Sequence, residues 1–186
     1  MKRFDAIKKI VESLNNELIV CNLGAPCREL FSISDRLSNF YMLGSMGLAS
    51  SIALGVALTQ PNKIVWCIDG DGSILMNLGS LSTIANNQPN NLTLIIIDNS
   101  TYGSTGNQRT YTSGKTNLKI IAEGAGFKSI TIIKKEGDIV HTLKNLGFGC
   151  HFVLIKTQPG NALVDNVPLL PKDIKARFMR LLTRKD

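Results

Sequence analysis

Apolar and polar positions follow two rhythms along this chain, and the rhythms keep alternating. Phe4, Ile7, Val11 and Leu14 recur at three- and four-residue intervals, so an amphipathic helix opens the chain. The apolar runs "ELIVCN" (17–22), "NFYML" (39–43) and "KIVWCID" (63–69) predict short strands, as do "SITIIK" (129–134) and "HFVLIKT" (151–157). "LTLIIID" (92–98) is the plainest of them, a continuous β-branched and leucine run of the kind found in a parallel strand buried on both faces. Helices are predicted between the strands. "APCREL" carries Pro26 where a helix begins. The small-residue run 44–60 suits a helix packed closely on its neighbour, and a further helix is expected from about Ile74 to Asn87. "LKIIAEGAG", "GDIVHTLKNLG" and, near the end, "KDIKARFMRLL" complete the series. This alternation predicts an α/β fold over residues 1–186, a single domain whose mostly parallel sheet is covered by helices on both faces.

In such sheets ligands bind beyond the carboxyl ends of the strands. Three polar segments fall there: "GSMG" after the second strand, "GDGS" after the third and "DNSTYG" after the fourth. A glycine-flanked turn that opens a helix presents backbone N–H groups suited to phosphate oxygens. Asp71 alone would repel phosphate, whereas a hard divalent cation between carboxylate and phosphate removes the conflict. Such an ion needs further oxygen ligands, and Asn99 lies 28 residues on, at the end of the next strand. The plainer reading of Asp69 and Asp71 is a tight strand-to-helix turn. The Gly-rich polar run 99–117 is long for a loop inside a compact domain, which points to function.

Composition narrows the choices. Lys and Arg number 21 against 14 Asp and Glu, a net charge of +7, but the basic residues are scattered or gathered at the two ends, as in "MKR" and "LLTRKD". No aromatic-interleaved basic stripe accompanies them, so a nucleic-acid partner is not expected. Cys21, Cys27, Cys67 and Cys150 show no C-x-x-C spacing, which argues for reduced, mostly buried thiols and against a metal cluster. The N-terminus lacks the apolar core of a signal peptide, and the weakly polar run 44–58 is too short to span a bilayer, so a cytoplasmic protein without membrane contact is expected. "GDGSILMNLG" is not G-x-G-x-x-G, which disfavours a dinucleotide dehydrogenase. His141 and His151 lie away from these segments and read as structural.

The order G-D-G-S, helix, apolar strand and Asn resembles the diphosphate- and metal-binding motif of thiamine diphosphate-dependent enzymes, and "LGSMG" resembles their pyrimidine-contacting segment. The resemblance implies that Gly70, Asp71, Gly72 and Ser73 hold the diphosphate of thiamine diphosphate, with Asp71, Asn99 and the Thr101 carbonyl as ligands of Mg²⁺ or Ca²⁺. It also implies that the Gly44 carbonyl, next to Ser45, accepts from the aminopyrimidine, and that Met46 wedges between the cofactor's two rings; these are the catalytic assignments. The family motif often ends in Asn-Asn, whereas this chain has Asp98-Asn99. With "CREL" and "DNSTYGSTGNQ", the pattern is similar over nearly the whole chain to the decarboxylases of pyruvates bearing a sulfonate or phosphonate on the third carbon. The implied activity is non-oxidative decarboxylation of a small anionic 2-oxoacid, in coenzyme M biosynthesis for the sulfonate, with Arg28, Ser104, Thr105 and Arg109 as candidates for the substrate anion. Enzymes of this kind need a glutamate beside the pyrimidine nitrogen, and no matching glutamate lies in these segments. The resemblance therefore implies a hetero-oligomer with an α subunit that carries the pyrimidine-binding domain. A 2-oxoacid oxidoreductase β-type subunit and a non-catalytic binding module are the competing readings.

Overall fold

A computed structural model describes residues 1–183 of the chain, so the charged end 184–186 and the last residues of the expected domain lie outside the described residues. The chain runs α1 (Arg3–Glu12), β1 (Leu18–Cys21), α2 (Ala25–Ile33), β2 (Asn39–Tyr41), α3 (Ala49–Thr59), β3 (Val65–Gly70) and α4 (Asp71–Leu75). It continues through α5 (Gly79–Asn87), β4 (Asn91–Asp98), a small hairpin of β5 (Thr101–Tyr102) and β6 (Gln108–Arg109), and a 3₁₀ turn at Tyr111–Ser113. α6 (Leu118–Ala125), β7 (Ser129–Ile133), α7 (Asp138–Lys144), β8 (Gly149–Lys156) and α8 (Pro171–Thr183) follow.

Six strands form one sheet in the order β2-β1-β3-β4-β8-β7, and every neighbouring pair is parallel. The period-2 alternation of each strand separates its side chains into two apolar layers. Val20, Cys67, Leu94 and Phe152 face one way, where α3, α5 and α6 and Phe178 of α8 cover them. Ile19, Trp66, Ile95 and Val153 face the other way, against α1, α2 and α7. Burial on both faces explains why these strands are continuous apolar runs rather than half-polar ones. In α3, Ala49, Ser50, Ala53 and Ala57 pack inward, and the Ser50 and Ser80 hydroxyls meet at 2.9 Å between α3 and α5. No helix among the described residues is long and apolar enough to cross a membrane.

Two expected helices differ. The one expected over 44–60 begins only at Ala49, because Ser45 and Gly47 take positive φ in the loop after β2. The helix anticipated over 74–87 starts at Asp71, breaks after Leu75 and resumes at Gly79. Across the break the amides reach back three residues, as in Met76 N–H to the Ser73 carbonyl and Asn77 N–H to the Ile74 carbonyl. Asn77 is drawn out of the helical path because its side-chain amide donates to the Gly47 carbonyl at 2.9 Å. The cost of the break is set against a tie to the loop after β2, which has no local sequence signature.

β1 lies between β2 and β3, so the chain leaves it first toward one edge and then crosses back to the other. That reversal opens a crevice at the carboxyl ends of β1 and β3, the position where ligands enter open α/β sheets.

Candidate functional site

A cavity of about 170 Å³ occupies that crevice. Its floor is formed by residues following β1 (Asn22, Leu23), by the end of β3 with the start of α4 (Asp69 to Ser73), and by the end of β4 with its loop (Ile97, Asn99, Thr101 to Thr105). Met46 reaches it from the loop after β2, and Arg3 from the start of α1.

Asp71 is the first residue of α4, where the free N–H groups and helix dipole favour negative charge. It is only 2% exposed. Its Oδ2 accepts from Thr110 Oγ1 at 2.5 Å and lies 3.0 Å from Thr112 Oγ1. Thr112 Oγ1 also lies 2.9 Å from Asp98 Oδ1, and the other Asp98 oxygen pairs with Lys156. Asp69, fully buried, accepts from the Gly70 N–H at 2.8 Å through Oδ1, while its Oδ2 has no hydrogen-bond partner among the described residues. Burial pushes the Asp71 carboxyl above the usual carboxylate range, the charge of Asp98 adds to this, and the two threonine hydroxyls oppose it. Burial, with the charge of Asp71 adding, pushes Asp69 up to about 6. Three buried carboxyl groups thus gather at these strand ends, and among the described residues Lys156 is the cation paired with them.

The surrounding turns are tied to this acid cluster. Asn99 Oδ1 accepts from the Thr101 N–H at 3.1 Å, folding 99–101 into an Asx turn with Ser100 at φ 59°. The Ser73 hydroxyl accepts from the Gly47 N–H at 3.0 Å, which together with Asn77 fastens the Met46 loop onto α4. A side chain at position 72 would collide with the Tyr102 ring, so Gly72 is required by the approach of the loop after β4.

Met46, Gly70, Asp71, Gly72, Ser73, Asn99, Thr101, Ser104 and Thr105 therefore line one cavity. Gly44 and Ser45 are exposed and face an adjacent hollow with Phe40, Leu43 and Leu48. Arg28 is not brought to the cavity; it sits half-buried on α2 beside Leu43, Asn166 and Val167. Arg109 is exposed on β6, also outside the lining. Both histidines lie elsewhere: His151 pairs with Ser129 at 2.8 Å, and His141 is on α7 next to Asn145. All four cysteines are free, three of them buried.

Sequence reading missed Arg3, Tyr102, Thr110 and Thr112. Arg3 is buried and held by Glu29 through two 2.8 Å bonds, a contact between α1 and α2 that pattern alone does not reveal. The two threonines were visible only as part of a polar run whose length already implied function.

Residues 27–157 match the thiamine pyrophosphate enzyme C-terminal TPP-binding domain, and the chain belongs to that family. Within it, the chain is 52% identical over 186 residues to sulfopyruvate decarboxylase subunit beta of Methanocaldococcus jannaschii, covering 98% of each chain. It is 36% identical over 168 residues to phosphonopyruvate decarboxylase of Streptomyces hygroscopicus, covering 89% of this chain and 41% of that one. The solved structure of a thiamine diphosphate-dependent 4-hydroxybenzoylformate decarboxylase from Rhodococcus jostii RHA1 shares the fold, with a TM-score of 0.69 at 17% identity over 87% of this chain and 33% of that one.

Proposed function

We propose that this chain is the diphosphate-holding subunit of a cytoplasmic sulfopyruvate decarboxylase, which converts 3-sulfopyruvate to sulfoacetaldehyde and CO₂ together with an α subunit. One observation carries the substrate: 52% identity along 98% of both chains to a sulfopyruvate decarboxylase β subunit. The phosphonopyruvate decarboxylase relative favours a second reading, in which the same site takes the phosphonate analogue.

The residues fit the cofactor. Gly70 to Ser73 open α4, so their amides and the helix dipole suit a diphosphate. Asp71, the Asn99 carboxamide and the Thr101 carbonyl form a hard oxygen donor set of the type Mg²⁺ or Ca²⁺ takes. A bound cation would offset the charge of the buried Asp69 and Asp71 carboxylates.

When bound, thiamine diphosphate supplies the nucleophilic carbon that adds to the keto group and the electron sink for the pair left by CO₂. The chain's part is to anchor, bend and shelter it. In this reading Met46, which lines the cavity, wedges between the cofactor's two rings, and the Gly44 carbonyl beside the exposed Ser45 accepts from the aminopyrimidine. Ser104 and Thr105 are the candidate donors to the substrate anion that lie in the cavity. Arg28 and Arg109 lie outside the cavity lining. Among the described residues no glutamate lines the cavity, and in this reading the α subunit contributes the activating glutamate.

The test is CO₂ release from 3-sulfopyruvate by the purified chain, alone and with the α subunit, in thiamine diphosphate and Mg²⁺. Background turnover alone and restoration in the complex are expected. Full activity of the chain alone would overturn the subunit assignment, and a higher kcat/KM for phosphonopyruvate would overturn the substrate.

A further inference from the structure

We infer that Thr110 and Thr112 are positioning residues that orient the Asp71 carboxylate for its cation before the cation arrives. This rests on the reading of Asp71 as a metal ligand.

Thr110 follows β6, 39 positions after Asp71 in sequence, yet it is only 2% exposed. Its own backbone is pinned on both sides: its N–H donates to the Ser100 carbonyl at 3.0 Å, and its carbonyl accepts from the Ser113 N–H at 3.1 Å and hydroxyl at 2.7 Å. Its side chain is therefore presented to Asp71 by a fixed backbone. The methyl group rests near Gly72, close enough that a Cβ there would sit 3.2 Å away.

Counting protons makes the arrangement specific. Each threonine hydroxyl carries one proton and can accept as well. Thr110 donates to Asp71 Oδ2, and its oxygen lies 2.9 Å from Thr112 Oγ1. The single Thr112 proton serves Asp71 Oδ2, Asp98 Oδ1 or the Thr110 oxygen, and this hydroxyl stands between the two carboxylates. Lys156 pairs with the other oxygen of Asp98, Oδ2, while Oδ1 also accepts from the Ser100 N–H at 3.0 Å. Both threonine hydroxyls lie against Oδ2 of Asp71, which holds the rotation of the carboxylate. Partners behind a ligand fix its orientation in this way, and losing one typically weakens metal affinity about 10- to 100-fold. The same contacts account for the length of the polar run after β4, which must travel out through the hairpin and return to the start of α4.

Mn²⁺ serves as the probe. Its binding to the chain assembled with the α subunit, in excess thiamine diphosphate, is read by the electron paramagnetic resonance of free Mn²⁺, with melting temperature measured without metal. Thr110→Val keeps the shape and methyl group but removes the donor, and is expected to weaken Mn²⁺ binding about 10- to 100-fold. Thr110→Ser should restore it, and Thr112→Val should weaken it less, so the result does not depend on one variant folding. Parent-like Mn²⁺ affinity in folded Thr110→Val or Thr112→Val, with or without a lower melting temperature, would overturn the inference. If Asp71→Ala loses Mn²⁺ in the same experiment, the metal-ligand reading survives that failure. Parent-like Mn²⁺ binding by Asp71→Ala would remove the reading and the inference together.

Discussion

Two groups of buried charges border the same cavity. Arg3 and Glu29, with side chains 6% and 1% exposed, meet in a forked pair. Arg3 also donates to Asn161 at 2.7 Å, Glu29 accepts from the Ala162 N–H at 3.0 Å, and Asn161 donates to the Gly103 carbonyl at 2.7 Å. Asp69, Asp71 and Asp98 are buried to the same degree, but among the described residues Lys156 alone pairs with them as a cation. The first group is fully matched and joins α1, α2, the loop after β4 and the segment after β8. The second keeps an unpartnered oxygen on Asp69 and carboxyl groups shifted upward by burial. A buried charge with complete partners is architecture, and a buried charge left short of neutralisation is prepared for a ligand. Unpaired buried charge is costly enough that a structure retains it only where a partner, a ligand or a proton neutralises it.

Four perturbations separate these roles. The largest effect is expected from Asp71→Ala, which should abolish cation-dependent binding of thiamine diphosphate, read by isothermal titration with and without Mg²⁺. The variant should stay folded, because the substitution removes buried charge rather than stranding it. Tight binding by the folded variant would place both groups in the architectural class. Glu29→Ala strands the Arg3 guanidinium instead, and breaking a buried pair from one side should cost about 3–5 kcal/mol, measured by urea unfolding. A loss near zero would mean that the ion pair is not what ties the four segments together. Met46→Ala touches neither group. It should lower turnover of the assembled enzyme on the order of tenfold or more while changing cofactor affinity little, since it shapes the bound cofactor rather than anchoring it.

The smallest effect is expected at His151, remote from the cavity. Burial lowers its pKa from 6.5, and Nε2 has no partner to receive a proton's hydrogen bond. As pH falls through 6.5 the unfolded chain takes up the proton first, so stability declines until the folded pKa is passed. His151→Gln should flatten this part of the stability–pH curve without changing Mg²⁺ dependence. An unchanged slope would assign the titration elsewhere.

The sequence by itself determined much of this protein. Apolar runs such as "LTLIIID" specify strands buried on both faces, and the glycines and acids after them locate the strand ends where Met46, Asp71 and Asn99 gather. These features were legible because periodicity and turn chemistry act over a few residues. Strand order, the break after Leu75, and the meeting of Asp71 with Thr110 and Thr112 were decided only in three dimensions. So was the exclusion of Arg28 and Arg109 from the cavity, since an arginine reads alike on any helix or strand. Contacts across 26 or 39 residues form only after the intervening elements have docked on the sheet, and no local pattern marks which polar side chain will meet which. The energy that selects such pairs is the avoidance of unsatisfied buried charge, and that quantity exists only once the chain has closed around the site.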